Sequence, residues 1–231
     1  MHALNDLVTS RKVLYLGVSD TPAWIVVKMN CYARQHGLRQ FSVYQGRWSA
    51  AERDFERDII PMCQDEGMAL APWGALGGGF FKPTASFGKD ARTLTSGKTG
   101  KEKQVSAVLE KISNAKNEPM TSIALAYVLH KAPYTFPIVG GRSVAHLKSN
   151  IAALGLRLTA DEIKEIDSAY GFEMGFPHSF LNPNNTMVLG PEDVMFSSRF
   201  GTFDYVVKQR PIPPHEGPLA KPFNDTPAAP V

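Results

Sequence analysis

The chain has 231 residues, of which 43% are hydrophobic, enough for one ordinary globular domain with its own core. Its 25 basic and 22 acidic residues leave a formal net charge of +3. Nucleic-acid and membrane partners need clustered positive charge, so neither is expected. No segment approaches ~18 consecutive apolar residues, so no membrane span is predicted. The two cysteines and six histidines form no metal pattern, and with no signal peptide at the start we expect reduced thiols in a cytoplasmic protein.

The hydrophobic pattern predicts strands and helices in alternation. Predicted strands cover residues 13–17, 41–45, 68–71 and 134–139. Predicted helices cover the first residues, a segment that Thr21 caps and Pro22 opens, and residues 49–66, 102–117, 119–131, 143–154 and 159–171. Four strand–helix units predict an α/β fold with parallel strands. Their spacing fits either half of a (β/α)8 barrel or an open doubly wound sheet.

The end of the chain changes in composition. Seven of the 17 prolines lie in the last 21 residues, where they prevent regular helix or ladder formation. We therefore divide the chain into a partial barrel domain, 1–171, and a C-terminal extension, 172–231, which is partly docked and is disordered after Pro218. Residues 172–203 could line a substrate pocket.

Polar and glycine-rich segments follow three predicted strands, at the edge where parallel α/β folds bind ligands. Ser19 and Asp20 either cap the next helix or line a site, and Thr21 breaks the Gly-x-Ser-x-Gly pattern of a nucleophile elbow. Glycines at 74–79 let backbone amides approach a phosphate, although a flexible loop explains them equally well. Arg142 precedes a helix and is either an anion ligand or a surface residue of a turn.

These segments together resemble the aldo-keto reductases, most closely the fungal aryl-alcohol dehydrogenase and norsolorinic acid reductase-like branch. The resemblance extends from residue 3 to about 200 and is carried by segments 13–24, 44–48, 53–62, 67–79 and 136–151. It implies the C-terminal half of a (β/α)8 TIM barrel, with NADPH extended across its mouth. It also implies a small-molecule carbonyl substrate.

Matched position by position, the resemblance implies a cofactor site in three parts. Ser19, Asp20 and Gln45 would hold the nicotinamide carboxamide, and Trp73 would stack on the nicotinamide ring. The pyrophosphate would be wrapped by Gly74, Ala75, Leu76, Gly77, Gly78 and Gly79. Arg142, His146 and Asn150 would surround the 2′-phosphate and adenine. This chain departs from the family at Asp20, where asparagine is common, and at 140–141, where glycines replace a basic residue.

The family's catalytic Asp, Tyr, Lys and His all precede the position that matches Leu14, so no residue here is assigned a catalytic role. Three hypotheses follow. The chain is an NADPH-dependent aldehyde or ketone reductase of fungal secondary metabolism, a truncated and inactive half-barrel that at most binds NADPH, or a cofactor sensor without chemistry. A half-barrel leaves two unpaired strand edges, so we expect a homodimer or pairing with another half-barrel.

Overall fold

The computed structural model describes residues 1–86 and 100–201 and the single residues 204, 206 and 211. Three parallel strands form one sheet in the order β1 (Leu16–Ser19), β2 (Phe41–Arg47) and β3 (Ala69–Trp73). Ser19 is paired with Gln45, and Arg47 is paired with Trp73. The carboxyl ends of all three strands therefore lie on one edge, where two of the predicted polar segments begin.

Helices surround this sheet, and the parallel α/β architecture predicted from the sequence is confirmed. The longer ones are α1 (His2–Thr9), α2 (Ala23–Gln35), α3 (Ile59–Asp65), α4 (Gly100–Lys116), α5 (Met120–Lys131), α6 (Val144–Ala153) and α7 (Ala160–Asp167). Single-turn helices α8 (His178–Leu181) and α9 (Ser197–Phe200) follow. The predicted capping box of α7 is present, since Thr159 and Glu162 bond reciprocally. In the part of the chain that the structure describes, no helix has both the length and the apolar character needed to cross a bilayer.

The fourth predicted strand is not a regular strand. Tyr134 accepts from the Leu70 N–H, and the Phe136 and Ile138 N–H groups donate to β3, but the segment forms only isolated bridges. Pro72 interrupts the ladder, because the next β3 donor in the series would be its missing N–H. The segment 134–139 thus lies beside β3 as an irregular fourth member.

Two other boundaries were predicted wrongly. Strand β1 begins at Leu16, three residues later than expected, because β2 begins at Phe41 and the residues before Leu16 have no described partner on that side. The helix predicted from 49 to 66 is reduced to a 3-10 turn, Asp54–Glu56, and the short α3. Pro61 explains the late start of α3. Proline has no N–H to donate within a helix, so it is tolerated in the first turn but not in the interior of a helix that began at residue 49.

The helix after β1 also begins differently from the prediction. Pro22, not Thr21, is the N-cap residue of α2, and the Thr21 hydroxyl donates to the Ser19 carbonyl at 2.9 Å. The Thr21 side chain therefore closes the turn after β1 instead of capping the helix.

A buried ionic cluster joins the segment after β2 to α5 and α7. Arg53 donates from Nε and Nη2 to the two oxygens of Glu56, at 2.9 and 2.7 Å. Lys131 reaches both oxygens of Asp167 at 2.9 Å, and the Tyr127 hydroxyl donates to Asp167 at 2.6 Å. Each charge is paired, as burial requires, so the cluster fixes three elements relative to one another.

The first part of the C-terminal extension packs against the rest of the chain. The Phe172 ring is buried, with the guanidinium carbons of Arg53 and Arg57 at 4.5 and 4.7 Å from its centre. The Asn185 side chain donates to the Phe172 carbonyl at 2.7 Å and accepts from the Met174 N–H at 2.9 Å. The domain boundary at 171 stays a prediction, and the disorder expected after Pro218 falls outside the described residues.

Two edges of this partial barrel expose apolar side chains. Tyr15 before β1 is 79% exposed, and Phe136 in the irregular segment is 62% exposed. Val144, Leu147 and Ile151 on α6 and its C-cap residue Leu154 are exposed as well. Exposed strand edges that carry large apolar side chains favour association with another chain.

Candidate functional site

A cleft of about 1150 Å³ opens at the carboxyl edge of β2 and β3. Its walls include the segment after β3, the beginnings of α4 and α5, and residues 138–150. Ten predicted cofactor residues line it: Trp73, Gly74, Ala75, Leu76, Gly77, Gly78, Gly79, Arg142, His146 and Asn150. Ser19, Asp20 and Gln45 do not line it but lie on the same strand edge. None of the described residues after Asn150 lines this cleft, and the substrate pocket expected along residues 172–203 stays a prediction.

The turn after β1 is held by short polar contacts. The Ser19 hydroxyl donates to Asp20 Oδ2 at 2.6 Å, and the Asp20 N–H donates to the Gln45 carbonyl at 3.1 Å. Asp20 has a φ of 49°, in the left-handed region that few residues other than glycine occupy. All three predicted carboxamide ligands are exposed, so their polar groups are accessible to a ligand.

Tyr44 was missed by the sequence reasoning, which assigned only its neighbour Gln45. The Tyr44 hydroxyl accepts from the Thr21 N–H at 3.0 Å and donates to the Thr21 carbonyl at 2.6 Å. Burial raises the pKa of the phenol, so the group is neutral and can donate at neutral pH. Its only sequence signal is a polar aromatic residue beside Gln45 on a buried strand.

Arg47 and Trp73, paired at the carboxyl ends of β2 and β3, both line the cleft. The Trp73 ring is 37% exposed, and the Arg47 guanidinium carbon lies 5.9 Å from its centre. Glu52 holds Arg47 at 2.9 Å and Lys101 at 3.0 Å, which ties the end of β2 to the beginning of α4. Trp73 therefore has a cation near its ring and leaves part of its surface open to a planar group.

The glycine segment bends the backbone in ways that other residues resist. Gly77 has a φ of 76°, and a Cβ placed there would lie 2.5 Å from the Phe81 ring. Gly78 has a φ of 57° but no neighbour within 4 Å. The absence of side chains lets the backbone approach a bound group closely, which is the form that phosphate cradles take.

The beginning of α6, with Arg142 just before it, brings positive charge to the wall of the cleft. Ser143 caps the helix by accepting from the His146 N–H at 3.3 Å. The Arg142 N–H donates to His146 Nδ1 at 3.3 Å, which makes Nδ1 an acceptor and leaves Nε2 as a donor. A helix N-terminus, an arginine and a ring N–H together fit an anionic phosphate.

The described part of the cleft offers little for acid–base chemistry. Its lining residues include no tyrosine, and His146 is the only histidine among them. A search of the described residues found no group of three or more potential metal ligands. The described lining thus offers backbone and cationic groups that suit an anionic ligand, but it contains no tyrosine.

Comparison with known proteins places these features in a family. The model of the aldo/keto reductase family matches residues 1–171. An aryl-alcohol dehydrogenase of Pestalotiopsis microspora is 53% identical over 96% of this chain and 58% of its own length. Norsolorinic acid reductase B of Dothistroma septosporum is 52% identical over 93% of this chain and 57% of its own length.

The fold agrees with that assignment. A crystal structure of a thermostable aldo-keto reductase has 25% identity and a TM-score of 0.57, over 73% of this chain and 53% of the other. The chain therefore spans between half and three fifths of the length of these relatives, and the partial TIM barrel expected from the sequence is confirmed. This chain belongs to the aldo/keto reductase family.

Proposed function

We propose that this chain forms the NADPH-binding side of an oxidoreductase that reduces an aldehyde or ketone to an alcohol. The observation that carries the proposal is the cleft itself. An open aromatic ring, a glycine backbone turn and a capped helix N-terminus with Arg142 all line it. These three features suit the nicotinamide, the pyrophosphate and the 2′-phosphate of the cofactor, respectively.

Each part of the cleft has a role in this proposal. Ser19, Asp20 and Gln45 orient the carboxamide, and Trp73 covers one face of the nicotinamide ring. Bound NADPH would supply the hydride. Asp20 can only accept hydrogen bonds when ionised, so it selects the amide N–H₂ of the carboxamide, not its carbonyl.

The preference for NADPH over NADH depends on the beginning of α6. Arg142 can pair with a 2′-phosphate by a charge-assisted bond, and the His146 Nε2–H can donate a second one. NADH has a hydroxyl at that position and would lose the charged contact. The predicted discrimination is therefore about 10-fold or more.

The substrate class follows from the relatives. Their names describe aryl-alcohol dehydrogenases and norsolorinic acid reductases, so we propose an aromatic aldehyde or polycyclic ketone within fungal secondary metabolism. The cytoplasmic location expected from the sequence stays a prediction.

A second candidate function is cofactor binding without turnover, which one observation favours. No tyrosine lies among the described residues that line the cleft, and a carbonyl oxygen that receives hydride must also receive a proton. A positioned general acid typically contributes about 10²–10⁴-fold in rate. The chain would then bind NADPH tightly but oxidise it slowly.

Fluorescence titration with NADPH and NADH tests the proposal. Arg142→Ala is compared with Lys148→Ala, which removes an exposed cation on α6. We expect the first variant to lose affinity for NADPH and keep that for NADH, and the second to change neither. Failure of the wild-type chain to bind NADPH would contradict the proposal. Oxidation of NADPH with an aromatic aldehyde then separates the reductase from the binding-only alternative.

A further inference from the structure

We propose that Tyr44 is the positioning residue of the nicotinamide end, acting through the backbone of Thr21. The inference rests on the function proposed above. Tyr44 does not touch the cofactor site itself, since its side chain is 3% exposed and points to the other face of β2 from Gln45.

The ring of Tyr44 is anchored by aromatic packing. Its centre lies 5.4 Å from that of Phe55 in an edge-to-face arrangement. Gly46 makes room for this pair, because a Cβ there would lie 2.6 Å from the Phe55 ring and 3.0 Å from Tyr44 Cε1. The phenol is therefore fixed at one height above the sheet and cannot follow a moving turn.

From that fixed ring, the hydroxyl clamps one residue of the turn after β1. It satisfies both the N–H and the carbonyl of Thr21, at 3.0 and 2.6 Å. A single phenol that serves both groups of one residue restrains the orientation of its peptide planes. That restraint acts directly after Asp20.

Asp20 has a φ of 49°, in the left-handed region, which aspartate enters more readily than most residues with a Cβ but still at a conformational cost that such a restraint offsets. Two neighbouring hydrogen bonds also restrain this turn. The Asp20 N–H donates to the Gln45 carbonyl, and the Thr21 hydroxyl donates to the Ser19 carbonyl. Tyr44 thus connects the anchored core to the turn that aims the Ser19 and Asp20 side chains. Its loss should leave the turn free to relax to an ordinary φ.

A purely structural role makes a different prediction. If Tyr44 only filled the core, its substitution would affect every ligand of the cleft alike. If it positions the nicotinamide end, substitution should weaken only ligands that carry a nicotinamide. Adenosine 2′,5′-bisphosphate is the matched probe, because it offers the adenine and 2′-phosphate without that ring.

The experiment compares Tyr44→Phe with Tyr32→Phe, which removes an exposed hydroxyl that contacts His2 at 3.1 Å. Loss of the two Thr21 bonds should weaken NADPH binding about 10-fold. Binding of adenosine 2′,5′-bisphosphate should stay within about 2-fold, and Tyr32→Phe should change neither ligand. Unchanged NADPH affinity in Tyr44→Phe, or an equal loss for both ligands, would overturn the inference.

Two further readouts keep the test independent of the stability of that variant. In the wild-type chain the Thr21 amide should be protected from hydrogen exchange, and its rapid exchange would overturn the clamp. Thr21→Ala removes an exposed contact of the same turn and should weaken NADPH but not the bisphosphate. A wild-type chain that binds NADPH no more tightly than the bisphosphate would contradict the inference about Tyr44 but would still support the phosphate part of the proposed site. If it binds neither ligand, the proposed function falls first.

Discussion

Replacement of Gly77 by alanine is expected to destabilise the glycine segment, by an amount that follows from its φ and from its distance to Phe81. A φ of 76° costs a residue with a Cβ about 1–2 kcal/mol. The new Cβ would also lie 2.5 Å from the ring of Phe81, which is buried in the core. Displacement of a packed ring typically costs about 1–3 kcal/mol more. Gly77→Ala should therefore lower the free energy of unfolding by ~2–5 kcal/mol and weaken NADPH binding.

Gly78→Ala is the matched control. Its φ of 57° carries the same conformational cost, but no atom lies within 4 Å of the new Cβ. We expect it to lose only about 1–2 kcal/mol. Urea unfolding gives both free energies, and NADPH titration shows whether the cradle has moved. Equal losses in the two variants would refute the reasoning, because only the Cβ at position 77 would meet the Phe81 ring.

Three further predictions concern the rest of the chain. Arg53→Met leaves the Glu56 carboxylate buried without its bidentate partner and should cost about 3–5 kcal/mol in urea unfolding; a loss below about 1 kcal/mol would contradict the role of the ionic cluster. The hydrogen bond from Arg34 lowers the pKa of Glu66 in the folded chain. The ionised carboxylate therefore stabilises the fold fully above its ordinary pKa of about 4.3, and this stabilisation is lost as the pH falls through the lowered pKa. Glu66→Gln should flatten that acid limb, and an unchanged pH profile of unfolding would argue against it. The open edges should cause concentration-dependent self-association in sedimentation, reduced by Tyr15→Lys, and a monomer at all concentrations would refute this.

The elements that the sequence predicted well are those defined by local signals. The capping box at Thr159 and Glu162 and the cap at Ser143 depend on side chains within three residues of one another. Hydrophobic periodicity was sufficient for α4 and α5, whose ends fall within two residues of the prediction. Local chemistry decided each of these cases.

The elements that were predicted wrongly depend on partners distant in sequence. The segment 134–139 has the composition of a strand, but the Pro72 on its neighbour breaks the ladder, and no local pattern reveals which residue will lie opposite. The same holds for Thr21, whose hydroxyl donates to the Ser19 carbonyl while its backbone bonds to Tyr44, 23 residues away in sequence. The site residues were predicted from a family resemblance. The bonds between Tyr44 and Thr21 were not predicted, because they join residues on different elements.

The proposed cofactor site is shaped by contacts within one chain, whereas the exposed strand edges would need contacts with another chain. Tyr44 holds Thr21, and Arg142 holds His146, through bonds within the described chain. The exposed Tyr15 and Phe136 instead need another strand to cover them. Stability should therefore depend on protein concentration, whereas NADPH affinity per chain should not. Unfolding and titration at two concentrations about 100-fold apart test this linkage, and an affinity that rises with concentration would show that the site is completed between chains.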